Sequence, residues 1–520
     1  MTEAPLRSSL VDLAGAGRRT SHEAVKLALP AVAILLGEGG DSRLALDPVT
    51  GRSRYGCSAR PDPGPADFCS ATASIVSPQG FSAAGSLRER LTEADGREPR
   101  GVTYARELER LRGDLIGLCG LTDLSGLDIV FAASGTDLHL IVAELVSGAT
   151  SAPTVCIGVE PQETGSGVPA ALAGRHFSGW TALGAPVREG CAIGADGTEF
   201  IPLSARAPDG RLRLDREVEA ELNVVVKAAV DAGRRVLLTI TDVSKTGLIS
   251  PGLEAVVSLR ERFGDRITVL VDACQFRISP GTLRAYLDHG FLVALTGSKF
   301  LTGPTFSGAL MVPERVGEQL RSRLPRPGLR PYSARAEWPS GWVAGAALTE
   351  ASNYGLLLRW EAAVSELRTF RALPDDAVVA AARVFAQAVE ARLDADPRFE
   401  RLETRPLDRA ALGVADGWDA VPTIFPFLLR HQGGQPGGYL SLASQQDVYR
   451  GLMSRRMRLG QPVLCGERDG RPISALRLCN SARLIAECAA GDASAVIDRA
   501  MAALDATSDA AGALSRLGRV

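Results

Sequence analysis

Residues 267–281, ITVLVDACQFRISPG, and residues 291–308, FLVALTGSKFLTGPTFSG, each begin with an apolar run and continue into polar or glycine-containing sequence. Each apolar run predicts a short buried β-strand, the first ending at Asp272 and the second just before Lys299. Short apolar strands with little internal alternation are typical of a parallel sheet that is covered on both faces. The stretch therefore predicts an acid and a lysine at the ends of two strands of one sheet.

This pair of side chains suits a covalent aldehyde cofactor. Pyridoxal phosphate (PLP) requires a lysine for its Schiff base and a carboxylate facing its ring nitrogen. A carboxylate at the end of a hydrophobic strand is costly to bury unless it meets a cation, such as a protonated pyridine nitrogen. The alternatives are an aspartate that caps the next loop and a lysine on the surface. Lysine is scarce, however, and the only candidates are Lys26, Lys227, Lys245 and Lys299.

Composition excludes several classes of protein. The chain has 520 residues, of which 45% are apolar and 23% charged, and a formal charge of −2, so it is expected to form two or more soluble lobes without attraction to nucleic acid or anionic membranes. Its nine cysteines include no CxxC pair, which argues against disulfides and zinc and fits a reducing compartment. The sequence shows no secretory leader, and the apolar run at 27–36 is too short to span a bilayer. We expect a cytoplasmic protein.

From Val102 onward, segments of strand and helix periodicity alternate, which predicts an α/β large domain over residues 101–340 with a mostly parallel, helix-covered sheet. The predicted strands are 128–134, 154–159, 236–243, 267–273 and 291–296. The predicted helices are 103–117, 138–146, 215–232 and 251–263.

The last third of the chain predicts a smaller α+β C-terminal domain over residues 341–520. Residues 315–339, rich in arginine and proline, are predicted to bridge the two lobes. The predicted helices are 346–372, 375–394, 445–453 and 492–504, and the predicted strands are 423–429 and 475–478.

Residues 1–100 are loop-rich, with clustered glycine and proline, and residues 69–86 have too little apolar periodicity to predict an element. Such long loops are either functional, here for substrate or dimer contacts, or an extension without a function of its own. If the region is functional, Arg52, Arg54 and Tyr55 are candidates to face the substrate.

Two further motifs complete a candidate site. In AASGTDLH, residues 132–139, small residues and the hydroxyls of Ser134 and Thr136 lie between a strand and a helix, where free N–H groups favour a phosphate. An ordinary helix cap is the alternative interpretation. In ALRLCNS, residues 475–481, Arg477 lies on a predicted strand, from which an arginine can bind a substrate carboxylate in a bidentate pair.

Taken together, these motifs resemble the fold-type I PLP enzymes, and among them the class V aminotransferase and cysteine desulfurase superfamily. The order of the family motifs is kept over about residues 100–490. It runs through Ser134-Gly135-Thr136, TDVSKTGLISPGLEAV at 241–256, Asp272 with Gln275, Thr296 with Lys299, Gly303-Pro304, and Arg477 with Asn480-Ser481.

The resemblance implies a role for each of these residues. Lys299 would form the Schiff base with PLP, Asp272 would pair with the pyridine nitrogen, and Gln275 would bond the phenolic oxygen. Ser134, Gly135, Thr136 and Thr296 would hold the phosphate, and Arg477 the α-carboxylate of an amino-acid-like substrate. Lys245 is the rival lysine, but it precedes Asp272, which the family order excludes. The resemblance also implies a homodimer whose subunits close each other's sites.

The chain departs from the family at three places. Ser298 stands where the family often has a histidine before the lysine. The histidine that stacks on the cofactor ring is absent, and Gln162 or Glu163 is expected in its place. Cys465 follows an Arg-Leu-Gly sequence similar to the desulfurase loop, but its spacing does not match, which argues against persulfide chemistry.

The predicted function is therefore a PLP-dependent lyase or bond-forming transferase that eliminates or replaces a side-chain group, with the long N-terminal region suggesting specialised metabolism. An aminotransferase is the main alternative, and a Cys465-dependent desulfurase follows. A binding protein without catalysis would require the loss of Lys299 or Asp272, and both are present.

Overall fold

The computed structural model describes residues 29–62, 66–147, 153–194, 198–431 and 438–516. The predictions for residues 1–28 and 63–65 of the N-terminal region, including Lys26, lie outside the described residues. Among the described helices, none is long and apolar enough to cross a membrane. The division into 1–100, 101–340 and 341–520 stays a prediction.

The large sheet has eight strands and is mostly parallel. Its strands are β2 Asp128–Ala132, β3 Thr154–Val159, β4 Thr198–Leu203, β5 Arg235–Asp242, β6 Ile249–Ser250, β7 Ile267–Ala273, β8 Leu292–Thr296 and β9 Gly308–Val312. Their order in the sheet is β2-β9-β8-β7-β5-β3-β4, with β6 paired to β5. Strands β3, β4, β5, β7 and β8 pair in parallel, whereas β9 is antiparallel to both β2 and β8.

Successive residues of the central strands enter two different cores. In β7, Val269 and Val271 pack into the core on one face, and Leu270 packs into the core on the other. Strand side chains alternate between faces, so a strand with helices on both sides must be apolar at every position. This explains the uninterrupted apolar run in the sequence and confirms the predicted α/β fold class.

The helices surround this sheet and continue into the C-terminal part. Their bounds are α1 Val32–Leu36, α2 Pro78–Ala94, α3 Arg100–Leu118, α4 Gly135–Ser147, α5 Val168–Leu172, α6 Asp215–Asp231, α7 Leu253–Phe263, α8 Pro280–Asp288, α9 Glu314–Leu320, α10 Val343–Ala346, α11 Tyr354–Arg371, α12 Asp375–Ala395, α13 Leu442–Ser454, α14 Ala482–Glu487 and α15 Ala493–Arg516.

A second sheet of five strands pairs a strand of the N-terminal region with strands of the C-terminal part. Its strands are β1 Ala66–Phe68, β10 Phe399–Arg401, β11 Ile424–Leu429, β12 Met457–Arg468 and β13 Arg471–Cys479. Their order is β1-β12-β13-β11-β10, and β1 is parallel to β12 while the other pairs are antiparallel. The pairing of β1 brings residues just after it, from the N-terminal region, beside Arg477 on β13.

Most predicted elements are present, but one predicted helix is interrupted, and one stretch without a predicted element contains the start of a helix. The helix predicted over 346–372 is interrupted, because Asn353 caps a new helix by accepting a hydrogen bond from the Leu356 N–H at 3.0 Å. Residues 69–86, for which no element was predicted, contain the start of α2, where Ser77 is the cap and Pro78 the first helical residue. Glycine, alanine and serine at 80–85 conceal its amphipathic pattern.

Candidate active site

The candidate site lies at one edge of the large sheet. Strands β3, β5, β7 and β8 run in parallel, and β2 runs with them because both β2 and β8 are antiparallel to β9. Their carboxyl ends therefore meet at one edge, which is where open α/β sheets bind ligands. The polar residues at or just after these ends are Ser134, Gln162, Lys245, Asp272 and Lys299.

Asp272 is buried at the end of β7 and lies against a histidine of α4. Its Oδ2 is 3.3 Å from His139 Nε2, and its Oδ1 accepts a hydrogen bond from the Cys274 N–H. His139 Nδ1 is 2.7 Å from the Gly135 carbonyl oxygen. Both ring nitrogens thus face acceptor oxygens, although Nε2 approaches Asp272 at an ion-pair distance without hydrogen-bond geometry, and a protonated imidazolium suits two such neighbours better than either neutral tautomer.

These contacts shift the pKa values of both His139 and Asp272. Burial opposes charge on both, but the Asp272 carboxylate raises the pKa of His139 above its ordinary value. Against the same cost of burial, the charge of His139 and then that of Lys299 hold the pKa of Asp272 well below its usual range. Asp272 is therefore ionised across the physiological range, as a carboxylate that stabilises a cation must be.

Ser134, Gly135 and Thr136 form a cradle at the start of α4. Ser134 Oγ donates to Asp137 Oδ2 at 2.5 Å and accepts from the Asp137 N–H at 3.3 Å, so the Ser134 side chain caps the first turn of α4. A Cβ on Gly135 would lie 2.7 Å from Cys274 Sγ, so only glycine allows this close packing. The first turn of a helix carries backbone N–H groups without intrahelical partners, and such groups favour an anion.

Thr296, at the end of β8, borders the same cradle. Its methyl group would lie 3.3 Å from a Cβ on Gly135. Its hydroxyl donates to the Cys274 carbonyl at 2.6 Å, and Ser298 Oγ donates to Thr296 Oγ1 at 3.4 Å. The structure thus brings Thr296 together with the predicted phosphate residues, although its hydroxyl proton is committed to Cys274.

Lys299 is half-buried three residues beyond β8, and its backbone carbonyl accepts from Ser74 Oγ at 3.4 Å and from the Thr302 N–H at 2.9 Å. Its charge lowers the pKa values of both Asp272 and Lys245. Lys299 therefore belongs to the same electrostatic cluster as the acid of β7.

Lys245, the rival lysine, also lies at this edge. Its Nζ donates to the Pro161 carbonyl at 3.1 Å, and burial, followed by the charges of Arg477 and Lys299, lowers its pKa to about 7. The structure thus places Lys245 as a second amine at this edge of the sheet.

Gln162 and Glu163 differ in how far their side chains are engaged. The Glu163 carboxylate is buried and accepts from Arg206, Ser244 and Thr246, and Arg206 with these hydroxyls lowers its pKa despite burial. Gln162 Oε1 is buried and has no hydrogen-bond partner within the part of the chain that the structure describes. Of the two, Gln162 is the one available to a cofactor ring.

Gln275 and Arg477 meet a strip of the N-terminal region, residues 70–74. The Gln275 side-chain amide donates to the Ala71 carbonyl at 3.1 Å, and Arg477 Nη2 donates to Thr72 Oγ1 at 3.1 Å. Arg477 is buried, and desolvation lowers its pKa. Its Nη2 also donates to the Gln461 carbonyl at 2.5 Å.

Several buried polar atoms around this edge lack a partner among the described residues. They include His139 Nε2, Gln162 Oε1, Thr241 Oγ1, Arg477 Nε, and both Oδ1 and Nδ2 of Asn480. Leaving a buried polar group unsatisfied costs about 1–3 kcal/mol, so such a cluster indicates a place for a polar ligand. Its donors and acceptors, with the Gly135 cradle and Asp272, fit a group that combines a phosphate, a cationic ring and a carboxylate.

Sequence reasoning missed His139 and residues 70–74. His139 is one helical turn beyond Gly135 within the quoted motif, and this i, i+4 spacing was the signal available. Residues 70–74 have no periodicity, and their place depends on the long-range pairing of β1 with β12.

The residues predicted to face the substrate in the N-terminal region contact one another and their neighbours. Arg52 donates to Asp62 and to the Gly56 carbonyl, and the Arg54 guanidinium lies over the Tyr55 ring at 5.8 Å.

The Lys245 amine is expected to destabilise the fold at and below neutral pH. Its folded-state pKa of about 7 lies below the ordinary lysine value of about 10.4, so the folded state bears the full cost of burying the charge below pH 7. This cost disappears as pH rises from 7 to about 10.4. Lys245→Met should therefore raise the melting temperature by about 2 °C at pH 6.5 and by much less at pH 9.5, measured by calorimetry.

The matched control is Lys227→Met, which removes an exposed lysine paired with Asp231 on α6. It should leave the melting temperature within about 1 °C at both pH values. A Lys245→Met protein that is less stable than wild type at pH 6.5 would contradict the placement of this amine.

No protein-family model and no curated protein matches the sequence. Solved structures match its fold at low sequence identity. The cysteine desulfurase CsdA from Escherichia coli is 15% identical with a TM-score of 0.51, and the alignment covers 85% of this chain and 95% of that one. A lysine-to-alanine mutant of C-DES, with glycine covalently linked to its PLP cofactor, is 14% identical with a TM-score of 0.50 and coverages of 84% and 97%. A NifS-like protein is 13% identical with a TM-score of 0.50 and coverages of 84% and 98%. The chain therefore has the PLP fold type I, as the sequence predicts.

Proposed function

We propose that this chain is a PLP-dependent enzyme that acts on an amino-acid-type substrate. The observation that carries the proposal is the position of Asp272 and Lys299 at or just after the carboxyl ends of neighbouring parallel strands, with Gly135 packed against Cys274 and Thr296 at the same ends. The fold supports it, since a solved structure with the same fold contains covalently linked PLP.

Bound PLP supplies an aldehyde for the substrate amine and a ring that withdraws electrons from the substrate Cα. Asp272 would hold the proton on the ring nitrogen, and His139 would keep that carboxylate ionised and oriented. The first turn of α4 would hold the phosphate, and Lys299 would remove and return the proton at the substrate Cα. Gln162, whose buried Oε1 has no partner among the described residues, would contact the ring.

Arg477 and Asn480 form the end of the site that receives the substrate carboxylate. Arg477 is buried between Thr72, Gln461 and the Lys245 carbonyl, which orients its guanidinium. Asn480 is 1% exposed with both side-chain atoms unpartnered among the described residues. A carboxylate accepts from both groups, and this satisfies donors that are otherwise buried without a partner.

We propose elimination or replacement at the substrate side chain as the reaction. Such a reaction needs one group to remove the Cα proton and another to protonate what departs. Lys299 serves the first purpose. Lys245, whose pKa is lowered to about 7 by burial and then by the charge of Arg477, would protonate the departing group.

A panel of amino acids incubated with the wild-type protein tests the proposal. The expected result is release of a side-chain leaving group, with the visible absorbance of lysine-bound PLP restored after each turnover. A keto-acid product with the cofactor left as pyridoxamine phosphate would replace the lyase proposal with an aminotransferase. A protein that binds no PLP would overturn the proposed function.

Cys465→Ser is expected to leave turnover within about twofold of wild type. Cys465 lies buried on β12, its thiol donates to the Val463 carbonyl at 3.0 Å, and burial raises its pKa to about 12. A neutral thiol held on a paired strand is a poor nucleophile. Turnover is compared with that of Cys191→Ser, which changes an exposed cysteine. A loss of more than about 100-fold in the Cys465 variant alone would favour a desulfurase.

The homodimer implied by the family resemblance stays a prediction, and sedimentation analysis of the wild-type protein tests it. The cytoplasmic location likewise stays a prediction.

A further inference from the structure

The N-terminal segment Leu36–Arg43 is fastened to the body of the protein beside the candidate site. Arg359 of α11, which is fully buried, donates to the carbonyls of Leu36, Glu38 and Gly39, and its Nε donates to the Phe306 carbonyl at 2.5 Å. One guanidinium thus ties this segment to the loop that follows Lys299.

Asn353 and Gly355, at the start of α11, hold the same segment. Asn353 Nδ2 donates to the Gly39 carbonyl at 3.0 Å while its Oδ1 caps α11. A Cβ on Gly355 would lie 2.3 Å from the Glu38 carbonyl, so the backbone of the segment packs directly on the helix. The segment is therefore a fixed part of the fold.

This attachment places Arg43 on the phosphate cradle. Arg43 Nη1 donates to Thr136 Oγ1 at 3.2 Å, and Nη2 donates to Ser134 Oγ at 3.4 Å. The guanidinium lies over the rings of Phe306 at 4.8 Å and Phe177 at 5.6 Å. Both ends of the guanidinium thus reach side chains of the turn that starts α4.

Asp41 fixes the orientation of this arginine. Its carboxylate accepts from Arg43 Nε at 3.0 Å and from Nη2 at 2.6 Å, and Asp41 itself is buried. Because Asp41 holds the Nε side of the guanidinium, the opposite side is turned toward the cradle.

We propose that Arg43 binds the phosphate of the cofactor, as a residue that the N-terminal segment supplies to the cradle of its own chain. The inference rests on the proposed function, because PLP is the phosphate-bearing ligand. The cradle itself offers backbone N–H groups and the hydroxyl of Thr136, and Arg43 adds a full positive charge and planar donors.

The acids around Arg43 are compatible with this role. Asp41 bonds Nε and Nη2 of the guanidinium, whereas Nη1 bonds a hydroxyl of the cradle and no acid among the described residues. Asp137 is the second acid nearby, and burial, followed by the charge of Asp41, raises its pKa to about 7. Near neutral pH Asp137 is thus partly protonated, which limits its repulsion of a phosphate dianion.

The test compares PLP with pyridoxal, which has the same aldehyde and ring but no phosphate. Full-length protein freed of its cofactor is titrated with each compound, and dissociation constants are obtained from the visible absorbance of the lysine-bound form. In Arg43→Gln, PLP affinity should fall by about 10- to 100-fold, the loss expected for one charge-assisted contact, while pyridoxal affinity stays within about twofold.

Three further proteins make the result specific. Asp41→Asn/Arg43→Gln, which leaves no unpaired buried acid, should show the same selective loss, and Arg43→Lys should recover part of it. Arg52→Gln, which removes an arginine of the same region that is paired with Asp62, should leave both constants unchanged.

Equal losses for PLP and pyridoxal, or no loss for either, would overturn the role of Arg43 and leave the proposed function intact. Failure of the wild-type protein to form a lysine adduct with either compound would overturn the proposed function itself. If Arg43→Gln does not fold, the Asp41→Asn/Arg43→Gln and Arg43→Lys proteins decide between these outcomes in the same titrations.

Discussion

Lys299→Ala is expected to lower turnover by more than about 1,000-fold and to abolish the visible absorbance of lysine-bound PLP. The reason is twofold. Lys299 is the amine to which the cofactor attaches in the proposed function, and it is also the group that moves the proton at the substrate Cα. Non-covalent binding of PLP should persist, because the Gly135 cradle and Asp272 do not depend on this side chain.

Lys245→Met is the matched control for attachment. This lysine lies at the same edge of the sheet, and the charge of Lys299 contributes to lowering its pKa to about 7, so it is the competitor for the aldehyde. Its variant should keep the visible absorbance that Lys299→Ala loses. The reverse pattern would exchange the two lysines and contradict the order of motifs.

Asp272→Asn should lower turnover by about 100- to 10,000-fold while PLP remains attached to Lys299. The amide preserves the shape of the carboxylate but lacks the charge that keeps the ring nitrogen protonated. His139 loses its counter-ion at the same time, so its pKa should fall from its raised value. Turnover and the absorbance of the bound cofactor are measured on the same sample.

The His139–Asp272 pair also predicts how stability depends on pH. The pKa of His139 is raised in the folded state, so its share of the stability is complete below about pH 6.5 and is lost as pH rises through the raised value. The melting temperatures of wild type and Asp272→Asn should therefore converge as the solution becomes alkaline.

For the catalytic role of Asp272, a turnover loss below about tenfold in Asp272→Asn would contradict the assigned role.

The core of the site could be predicted because it depends on local sequence. A strand buried on both faces must be apolar at every position, so the runs before Asp272 and Lys299 are visible without any tertiary information. The carboxyl ends of parallel strands then meet by topology alone. The strand-to-helix change in the sequence likewise predicts Ser134–Thr136 at the start of a helix, and in the structure Gly135 of this turn packs near Thr296.

The remainder of the site depends on contacts between distant parts of the chain. Thr72 meets Arg477 only because β1 pairs with β12, and Arg43 meets Thr136 only because Arg359 holds the N-terminal segment. No periodicity in residues 29–76 signals either contact. The interruption before α11 has a similar cause, since Asn353 serves both as a helix cap and as a partner of Gly39.

The proposed chemistry depends on the attachment of PLP to Lys299, and the scarcity of lysine allows a decisive measurement. The wild-type protein is incubated with PLP, reduced with borohydride, digested and examined by mass spectrometry. The four lysines, Lys26, Lys227, Lys245 and Lys299, lie far enough apart to fall on separate peptides. We expect a phosphopyridoxyl group on the peptide that contains Lys299. The same group on Lys245, on a lysine outside the site, or on no peptide at all would contradict it.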